Sequence, residues 1–331
     1  MSVTNDTLIT PRPNAVLPED REIQVRVGIP HTGGALMAEA FNSGYPVMVS
    51  TAAFYRNGRL RPPDFMRGGE IFMADVALDS AGFTAMLGWA KKGAQPGIEG
   101  IYPWSLTEYT SVVAGLAGSC SWWSQPDFCC EPAIAADRAE RHRRVEMTAR
   151  TLRQCLQETW MREELARAMF DREKDKSRRR RLVIAESIRP PVPVLQGYEV
   201  DDYKRSAELL QQAWGPWKGQ YECALIGLGS VCRRHLHDKR HGVLAILRGI
   251  EDLVPAGAKL HLFGVKGTAL QTLSEHPLVV SADSMSYDFQ ARMSAAKSGT
   301  SNSMGERIHH MHEWMGRHRA VQNPQSDLFR N

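Results

Sequence analysis

Short apolar runs alternate along the chain with amphipathic or irregular stretches, and this alternation carries the first structural prediction. Each run ends in Gly, Asp, Ser or Gln, and its length and composition are typical of strands buried on both faces of a parallel sheet. The runs lie at residues 24–29, 46–50, 71–78, 112–122, 182–184, 192–195, 223–228, 259–265 and 278–282. Periodicity alone leaves buried helix open for them.

Helices are predicted between several of these runs. The stretch 131–170 places Pro132 near its first turn and is rich in Ala, Arg, Glu, Leu and Met, which favour helix. Apolar residues recur near helical spacing in 201–214, 241–253 and 268–276. The strand and helix rhythm, with about eight strands, predicts the α/β class. We favour a closed TIM (β/α)8 barrel with insertions over an open doubly wound sheet.

Composition is that of an ordinary globular enzyme and excludes several classes of protein. The chain of 331 residues is 43% hydrophobic and 24% charged, which argues against fibrous or wholly disordered proteins. Its apolar stretches fall short of a membrane span, and its first 20 residues lack the order of a signal peptide. The six Cys are irregularly spaced and are expected as reduced thiols. We therefore expect a cytoplasmic protein.

Domain organisation is expected to centre on one barrel. The expected segments are a flexible N-terminal segment at 1–20, a barrel domain at 21–297 with a basic helical insertion at 131–181, and a helical tail at 298–331.

Positive charge is concentrated within the expected insertion. Residues 137–181 hold 15 Lys or Arg against 9 Asp or Glu, whereas the whole chain carries a formal charge of only +4. This segment is either a solvated helix end, where cations suit the helix dipole, or a flank that binds a polyanion. Its final residues are Arg178, Arg179, Arg180 and Arg181.

Polar residues, a glycine and a phenylalanine lie at or just after the ends of several of the predicted strands. In a barrel these positions meet at one mouth, where reactive side chains of this fold lie. The residues are Asp79, Asp127, Gln196, Gly227, Phe263 and Asp283. A single Asp after a strand is more often a helix N-cap, so the argument depends on the set.

Such a set favours substitution at a sugar carbon that carries a base. Two carboxylates can divide this substitution into two steps, one attacking C1′ and the other managing the proton of the leaving or entering group. A third carboxylate and a Gln suit a purine edge, because a carboxylate accepts from N–H groups and an amide nitrogen donates to a carbonyl. This is the chemistry of a base-exchange site.

Five short motifs resemble, in collinear order, the signature of the tRNA-guanine transglycosylase (queuine tRNA-ribosyltransferase) superfamily. They are Leu78–Phe83, Leu195–Gly197, Ile226–Gly229, Leu262–Val265 and Ala282–Asp283. The stretch Ser121–Pro132 and the run Gly227–His237 are similar, more closely, to the deazapurine DNA-modification transglycosylases of phages and bacteria, the DpdA family. The resemblance covers roughly residues 27–283.

This resemblance implies a barrel that removes guanine from a polynucleotide and installs a 7-deazaguanine such as 7-cyano-7-deazaguanine, with no cofactor. Asp283 matches the nucleophile that forms the glycosyl-enzyme ester, and Asp79 matches the general acid/base. The implied partners are DNA, either single-stranded or with a flipped guanine, and the deazapurine base. No membrane partner is implied. The resemblance is also compatible with a homodimer and with helper proteins that open the duplex. If a phage encodes the chain, the expected location is the cytoplasm of its host.

Base recognition is implied for a further group of positions. Asp127 matches the carboxylate that reads the N1 and N2 edge of guanine, while Gln196 and the backbone of Gly227 match the groups around O6. Phe83 and Phe263 would sandwich the purine ring, a role that suits aromatic stacking.

One departure bears on the nucleic acid. The tRNA enzymes carry a Cys-x-Cys-x-x-Cys and a later His, a zinc site beyond the nucleophile, whereas no Cys follows Cys232 in this sequence. Lack of this Cys-rich zinc subdomain favours DNA as the substrate. The alternatives are modification of tRNA and a noncatalytic barrel subunit that binds nucleic acid; Asp79 and Asp283 together speak against the latter.

Histidines and arginines after residue 229 admit two interpretations. His235 and His237 lie two residues apart near Cys232, which suggests a metal site as one interpretation. A zinc hydrolase is the most distant alternative that follows from it. Their spacing fits no standard zinc pattern, and histidines that face phosphates are equally natural. We favour no metal, and we expect Arg233 and Arg234 to contact phosphates beside the target nucleotide.

Overall fold

The strands of the main sheet are all parallel. The computed structural model describes residues 11–18, 23–64, 68–116, 118–175, 177–178, 188–232 and 234–322. Within these ranges the main sheet has eight strands: β1 (Gln24–Ile29), β2 (Val47–Ser50), β3 (Val76–Asp79), β4 (Cys120–Trp123), β5 (Val194–Leu195), β6 (Leu225–Leu228), β7 (Lys259–Leu262) and β8 (Val279–Ser284). Apart from β4 and β5, each strand pairs with its neighbour in the sequence, and β8 pairs with β1.

In the sheet order β4-β3-β2-β1-β8-β7-β6-β5, a β-bridge joins the two end strands, β4 and β5. Ser124 pairs in parallel with Val192 just outside the two strands. The Val192 N–H donates to the Trp123 carbonyl at 2.8 Å, and the Gln125 N–H donates to the Val192 carbonyl at 3.0 Å. The closed parallel order is that of a TIM barrel, which confirms the predicted fold class.

Helices connect most of the strands on the outside of the barrel. They are α1 (Ala35–Asn42), α2 (Leu106–Gly115), α3 (Arg138–Arg172), α4 (Val200–Trp214), α5 (Val243–Ile250), α6 (Gly267–Ser274), α7 (Ser286–Ser298) and α8 (Met304–Gln322). Short helical turns lie at Thr51–Phe54, Glu70–Phe72, Gly82–Thr84, Ala85–Trp89, Ala90–Lys92, Ile98–Gly100, Gly215–Trp217 and Glu251–Leu253. Two minor strand pairs join Tyr55–Arg56 to Arg59–Leu60 and Arg12–Pro13 to Tyr221–Glu222. In the described part of the chain no helix is long and apolar enough to cross a membrane.

A helix cap explains why one predicted strand, 112–122, is partly a helix. The run 112–122 was expected as one strand, but α2 occupies its first part and β4 begins only at Cys120. Ser105 and Glu108 form a reciprocal capping box that starts α2 upstream of the apolar run, so Val112 and Val113 belong to a helix face. Similarly, the run 71–78 begins in the turn Glu70–Phe72, and 182–184 lies outside the described residues.

Alternate strand residues divide the core into an outer and an inner part. The outer part packs the sheet against the helices, whereas a smaller cluster lies inside the barrel. The inner cluster is formed by Ala15, Met48, Ala77, Trp122, Val192 and Leu225, with Phe263 against it. Buried inner layers of this kind fill a TIM barrel and leave its carboxyl-end mouth for chemistry.

Both outer segments of the described chain pack against the barrel. Asn14 is fully buried, donates to the carbonyls of Pro191 and Leu225, and accepts from the amides of Ala224 and Leu225. These hydrogen bonds attach the segment 11–18 to the barrel. On α8, three side chains join the outer core, namely Met311, Trp314 and Met315.

Candidate active site

Three carboxylates lie at the carboxyl ends of barrel strands. Asp79 is the last residue of β3, Asp283 lies near the end of β8, and Asp127 follows β4. The charges of Asp127 and Asp283 both raise the pKa of Asp79, so the three groups lie within electrostatic range. The separate strand ends thus converge on one mouth, as the sequence predicted for the barrel fold.

The surroundings of Asp79 raise the pKa of its carboxyl group close to neutral pH. Burial is the largest cause that raises its pKa, to about 7, and the neighbouring charges of Asp127 and Asp283 act in the same direction. A hydrogen bond from the Ala81 N–H to Asp79 Oδ2, at 2.9 Å, opposes the shift. Ala81 adopts a left-handed conformation with φ 70°, which turns its amide back toward the carboxylate. A group with this pKa can both give and take a proton near neutral pH.

Asp283 is held through a single oxygen. Its Oδ1 accepts from the Gly264 N–H at 2.9 Å and lies 3.2 Å from His261 Nε2. Gly264 has a φ of 68°, a conformation that favours glycine and aims this amide at the carboxylate. Among the described residues no hydrogen bond is made to Oδ2. The carboxylate is therefore oriented by one oxygen while the other is available to react.

Asp127 belongs to a buried chain of polar side chains. Ser80 Oγ donates to its Oδ1 at 2.6 Å, and Gln196 Nε2 donates to its Oδ2. Ser230 Oγ lies 2.6 Å from Gln196 Oε1 and 3.0 Å from Glu131 Oε2. Burial raises the pKa of Asp127 to about 6, although the bonds from Ser80 and Gln196 oppose it. This chain forms a rigid edge of acceptors and donors at the mouth.

The two predicted aromatic residues differ in their surroundings. Phe83 is 46% exposed beside a cavity of about 410 Å³. Phe263 is half-buried and packs edge-on against His261, with ring centroids 4.7 Å apart. A Cβ on Gly227 would overlap the Phe263 ring, so this glycine makes room for it. The Gly227 N–H donates to the Pro193 carbonyl at 2.8 Å and is engaged within the sheet rather than at the mouth.

Arg234 is committed to the protein. Its guanidinium donates to the carbonyls of Ser230, Tyr198, His241 and Gly197 at 2.5–3.1 Å. These bonds fasten the loop that follows β6 to the loop that follows β5. They favour a structural role over the expected contact with phosphate, because the donors are already used.

The remaining predicted arginines divide into one described residue and four others. The Arg178 side chain is 69% exposed and lies 3.9 Å from Glu173. Predictions on Arg179, Arg180, Arg181 and Arg233 fall outside the described residues.

Several site residues escaped the sequence analysis. His261, Ser80, Ser230 and Glu131 all contact a predicted site residue or act on its charge. His261 interrupts an apolar strand two positions before Phe263, so strand alternation could have placed both inside the barrel. Within the described residues no group of three His, Cys, Asp or Glu side chains is arranged to hold a metal ion.

The fold and the site together define an α/β barrel with three carboxylates at the carboxyl end of its sheet. The chain belongs to the DpdA family, deoxypurine in DNA protein A, whose model matches residues 42–328. This membership confirms the resemblance drawn from the motifs and supports a general role as a transglycosylase in deazapurine modification of DNA. No curated protein matches the chain.

Proposed function

We propose that the protein is a DNA guanine transglycosylase, a pentosyltransferase that exchanges guanine in DNA for a 7-deazaguanine such as 7-cyano-7-deazaguanine. The observation that carries this proposal is the placement of Asp79, Asp283 and Asp127 at the carboxyl ends of three strands of one barrel, where the charges of the last two act on Asp79. An oriented carboxylate beside a second one with a pKa of about 7 suits a covalent glycosyl intermediate with proton transfer.

In the first half-reaction Asp283 acts as the nucleophile. Its Oδ2 forms a bond to C1′ of the target deoxyguanosine while the bond between C1′ and N9 breaks. Guanine leaves with the electron pair and takes a proton from Asp79, whose raised pKa keeps a large fraction protonated near neutral pH. The deoxyribose is then held as an ester of Asp283.

The second half-reaction reverses these roles with a different base. The 7-deazaguanine gives its N9 proton to the Asp79 carboxylate, and N9 forms a bond to C1′. The bond between C1′ and Asp283 Oδ2 breaks, which returns the negative charge to the carboxylate. Asp79 is protonated again and Asp283 is free, so the order of binding is ping-pong.

Asp127 and Gln196 would read the base. The Asp127 carboxylate accepts from the N1–H and N2–H groups of guanine, and the Gln196 amide donates to O6. Without a base these two side chains bond to each other, so entry of guanine replaces one satisfied hydrogen bond by others. Both purines share this edge, which lets one site accept the leaving and the entering base. Phe83 and Phe263 would flank the ring.

DNA must present its guanine outside the duplex. A base within a stacked helix cannot reach a barrel mouth, so the target is single-stranded or flipped, at a cost of a few kcal/mol. The positive charge of residues 137–181 favours contact with the flanking backbone.

Base exchange with labelled guanine tests the function. The purified protein should incorporate labelled guanine into DNA, and Asp283→Asn should abolish incorporation. Transfer RNA is assayed in parallel. Incorporation into tRNA alone would contradict the DNA substrate, and DNA binding without exchange into either polymer would indicate a noncatalytic subunit.

A further inference from the structure

His261 lies beneath the candidate nucleophile and is not part of the base-exchange chemistry described above. Its side chain is fully buried inside the barrel, on β7, two residues before Phe263. Nε2 lies 3.2 Å from Asp283 Oδ1, and Nδ1 lies 2.8 Å from Ser281 Oγ. Ser281 and Asp283 are two apart on β8, so strand alternation presents both to the same ring.

Packing fixes the orientation of the imidazole. The Trp122 ring meets it edge-on with centroids 4.7 Å apart, and the Phe263 ring does the same at 4.7 Å. Trp122 itself is 1% exposed. The ring therefore cannot turn away from Asp283 without displacing two aromatic side chains, a costly change in a close-packed interior.

The two nitrogens have distinct partners, which determines the tautomer. A carboxylate can only accept, so Nε2 carries the proton and donates to Asp283. Nδ1 is then an acceptor, and the Ser281 hydroxyl donates to it. Burial lowers the pKa of His261 and so favours the neutral ring; the bond to Asp283 opposes this shift, and the positive charge of Arg26 adds to it.

We propose that His261 is a positioning residue which, as a neutral Nε2–H donor fixed by Ser281, holds Oδ1 of Asp283 so that Oδ2 faces C1′. The inference rests on the proposed function of Asp283 as nucleophile. With Gly264 it supplies two N–H donors to the same oxygen. These donors remain bonded when Oδ1 becomes the ester carbonyl. When the ester is cleaved, they stabilise the negative charge that returns to the carboxylate.

Neutrality matters for the reaction. An imidazolium could transfer its proton to Asp283, which would quench the nucleophile. A neutral ring orients the carboxylate without removing its charge, and His261 keeps its proton through both half-reactions. The bond to C1′ forms and breaks at Oδ2 only.

Paired substitutions test the positioning role. His261→Gln retains an amide donor near the place of Nε2, whereas His261→Leu retains volume without a donor. In single-turnover formation of the DNA adduct we expect His261→Leu to lose about 100-fold in rate with an unchanged Kd for DNA, and His261→Gln to recover most of that loss. His276, half-buried before β8, provides the matched control, and His276→Leu should leave the rate unchanged.

A double-mutant cycle tests the role assigned to Ser281. Ser281→Ala should lower the rate several-fold in the wild type and have no further effect in His261→Leu, since Ser281 acts only through the ring. An equal effect in both backgrounds, or a wild-type rate in His261→Leu, would overturn the inference.

Nitrogen-15 NMR of the histidine rings reads the tautomer directly in the free protein. We expect a neutral Nε2–H ring for His261 at neutral pH and above, with Ser281→Ala shifting its signals. An Nδ1–H tautomer or an imidazolium would contradict the inference even if the adduct forms. If wild type forms no adduct, the proposed function fails, while the NMR result still decides the state of His261.

Discussion

At the residue scale, the environment of each carboxylate divides the labour among them. Burial and two like charges raise the pKa of Asp79 to about 7, whereas Asp283 accepts hydrogen bonds from two N–H donors on one oxygen. Separation of this kind between neighbouring acids is how one site performs both nucleophilic and proton-transfer chemistry. Under the proposed function Asp127, which Ser80 and Gln196 bond, recognises the base.

The pKa of Asp79 predicts opposite pH dependence for the two half-reactions. Adduct formation needs the protonated acid and should fall as pH rises through about 7, while incorporation of the entering base needs the carboxylate and should rise there. Single-turnover rates measured for each half-reaction between about pH 5.5 and 8.5 check this. Two profiles that are flat across this range would contradict the assignment of Asp79.

The same pKa shift predicts an effect on stability. Between about 3.8 and 7 the folded protein binds more protons at Asp79 than the unfolded chain, so stability decreases as pH rises through this window. Asp79→Asn should therefore raise the Tm relative to wild type near pH 8 and lose this advantage near pH 4. Thermal unfolding at both values measures it; an equal difference at the two would exclude the shift as its cause.

Asp127→Asn should weaken base recognition more than chemistry. Replacing an acceptor oxygen by an N–H donor removes a charged hydrogen bond to the purine edge, so KM for free guanine should rise by about 10- to 100-fold. Exchange kinetics over a range of guanine concentrations measure this. Asp252→Asn, at an exposed position before β7, is the matched control and should behave as wild type. A fall in kcat with unchanged KM would assign Asp127 another role.

At the residue level, the sequence located positions that the end of a single strand determines and missed contacts that depend on strand pairing. Asp79 and Asp283 follow apolar runs, so the fold alone sends them to one mouth. His261 was missed because its meaning lies in Asp283 and Ser281, which only the pairing of β7 with β8 brings to it. Arg234 was expected at phosphate because nothing in the sequence reveals the carbonyls that surround its guanidinium.

At the element scale, most strands were predictable because both faces of each are buried. Six of them, β1, β2, β5, β6, β7 and β8, fall largely within their predicted runs, whereas β3 and β4 begin late in theirs. The failure at 112–122 has a local cause, because the capping box at Ser105 and Glu108 starts a helix before the apolar residues. The closing bridge between Ser124 and Val192 joins parts of the chain that no local pattern relates.

Helix α8 is predicted to contribute to the stability of the barrel. Trp314 is 2% exposed and belongs to the core that contains the strands. Trp314→Ala should reduce the free energy of unfolding by about 3–5 kcal/mol, because it removes a large buried side chain. Urea denaturation followed by circular dichroism measures it. Val16→Ala, at a position 54% exposed, is the control, and equal small losses in both variants would show that α8 is dispensable.

At the scale of the whole molecule, the acidic site residues and the surplus of positive charge come from different parts of the chain. The barrel collects the acidic site residues at its mouth, while the surplus of Lys and Arg lies in residues 137–181. Under the proposed function, the basic segment would bind the DNA backbone while the target sugar meets the acidic site.

Charge neutralisation tests whether the basic segment binds DNA. Replacing Arg178, Arg179, Arg180 and Arg181 by Gln should weaken DNA binding and reduce the slope of log K against log salt, by about 0.9 for each phosphate that the protein no longer neutralises. Fluorescence anisotropy over a range of salt concentrations measures the slope. An unchanged slope would return the segment to the alternative of a solvated helix end.

Denaturing mass spectrometry of the protein after incubation with guanine-containing DNA tests the central claim most directly. The wild type should carry a covalent DNA adduct that maps to Asp283, that accumulates when free bases are removed and that disappears when guanine is added. Asp283→Asn should form none and lose turnover by roughly 10⁴-fold or more. An adduct at another residue, or full base exchange by Asp283→Asn, would contradict the account.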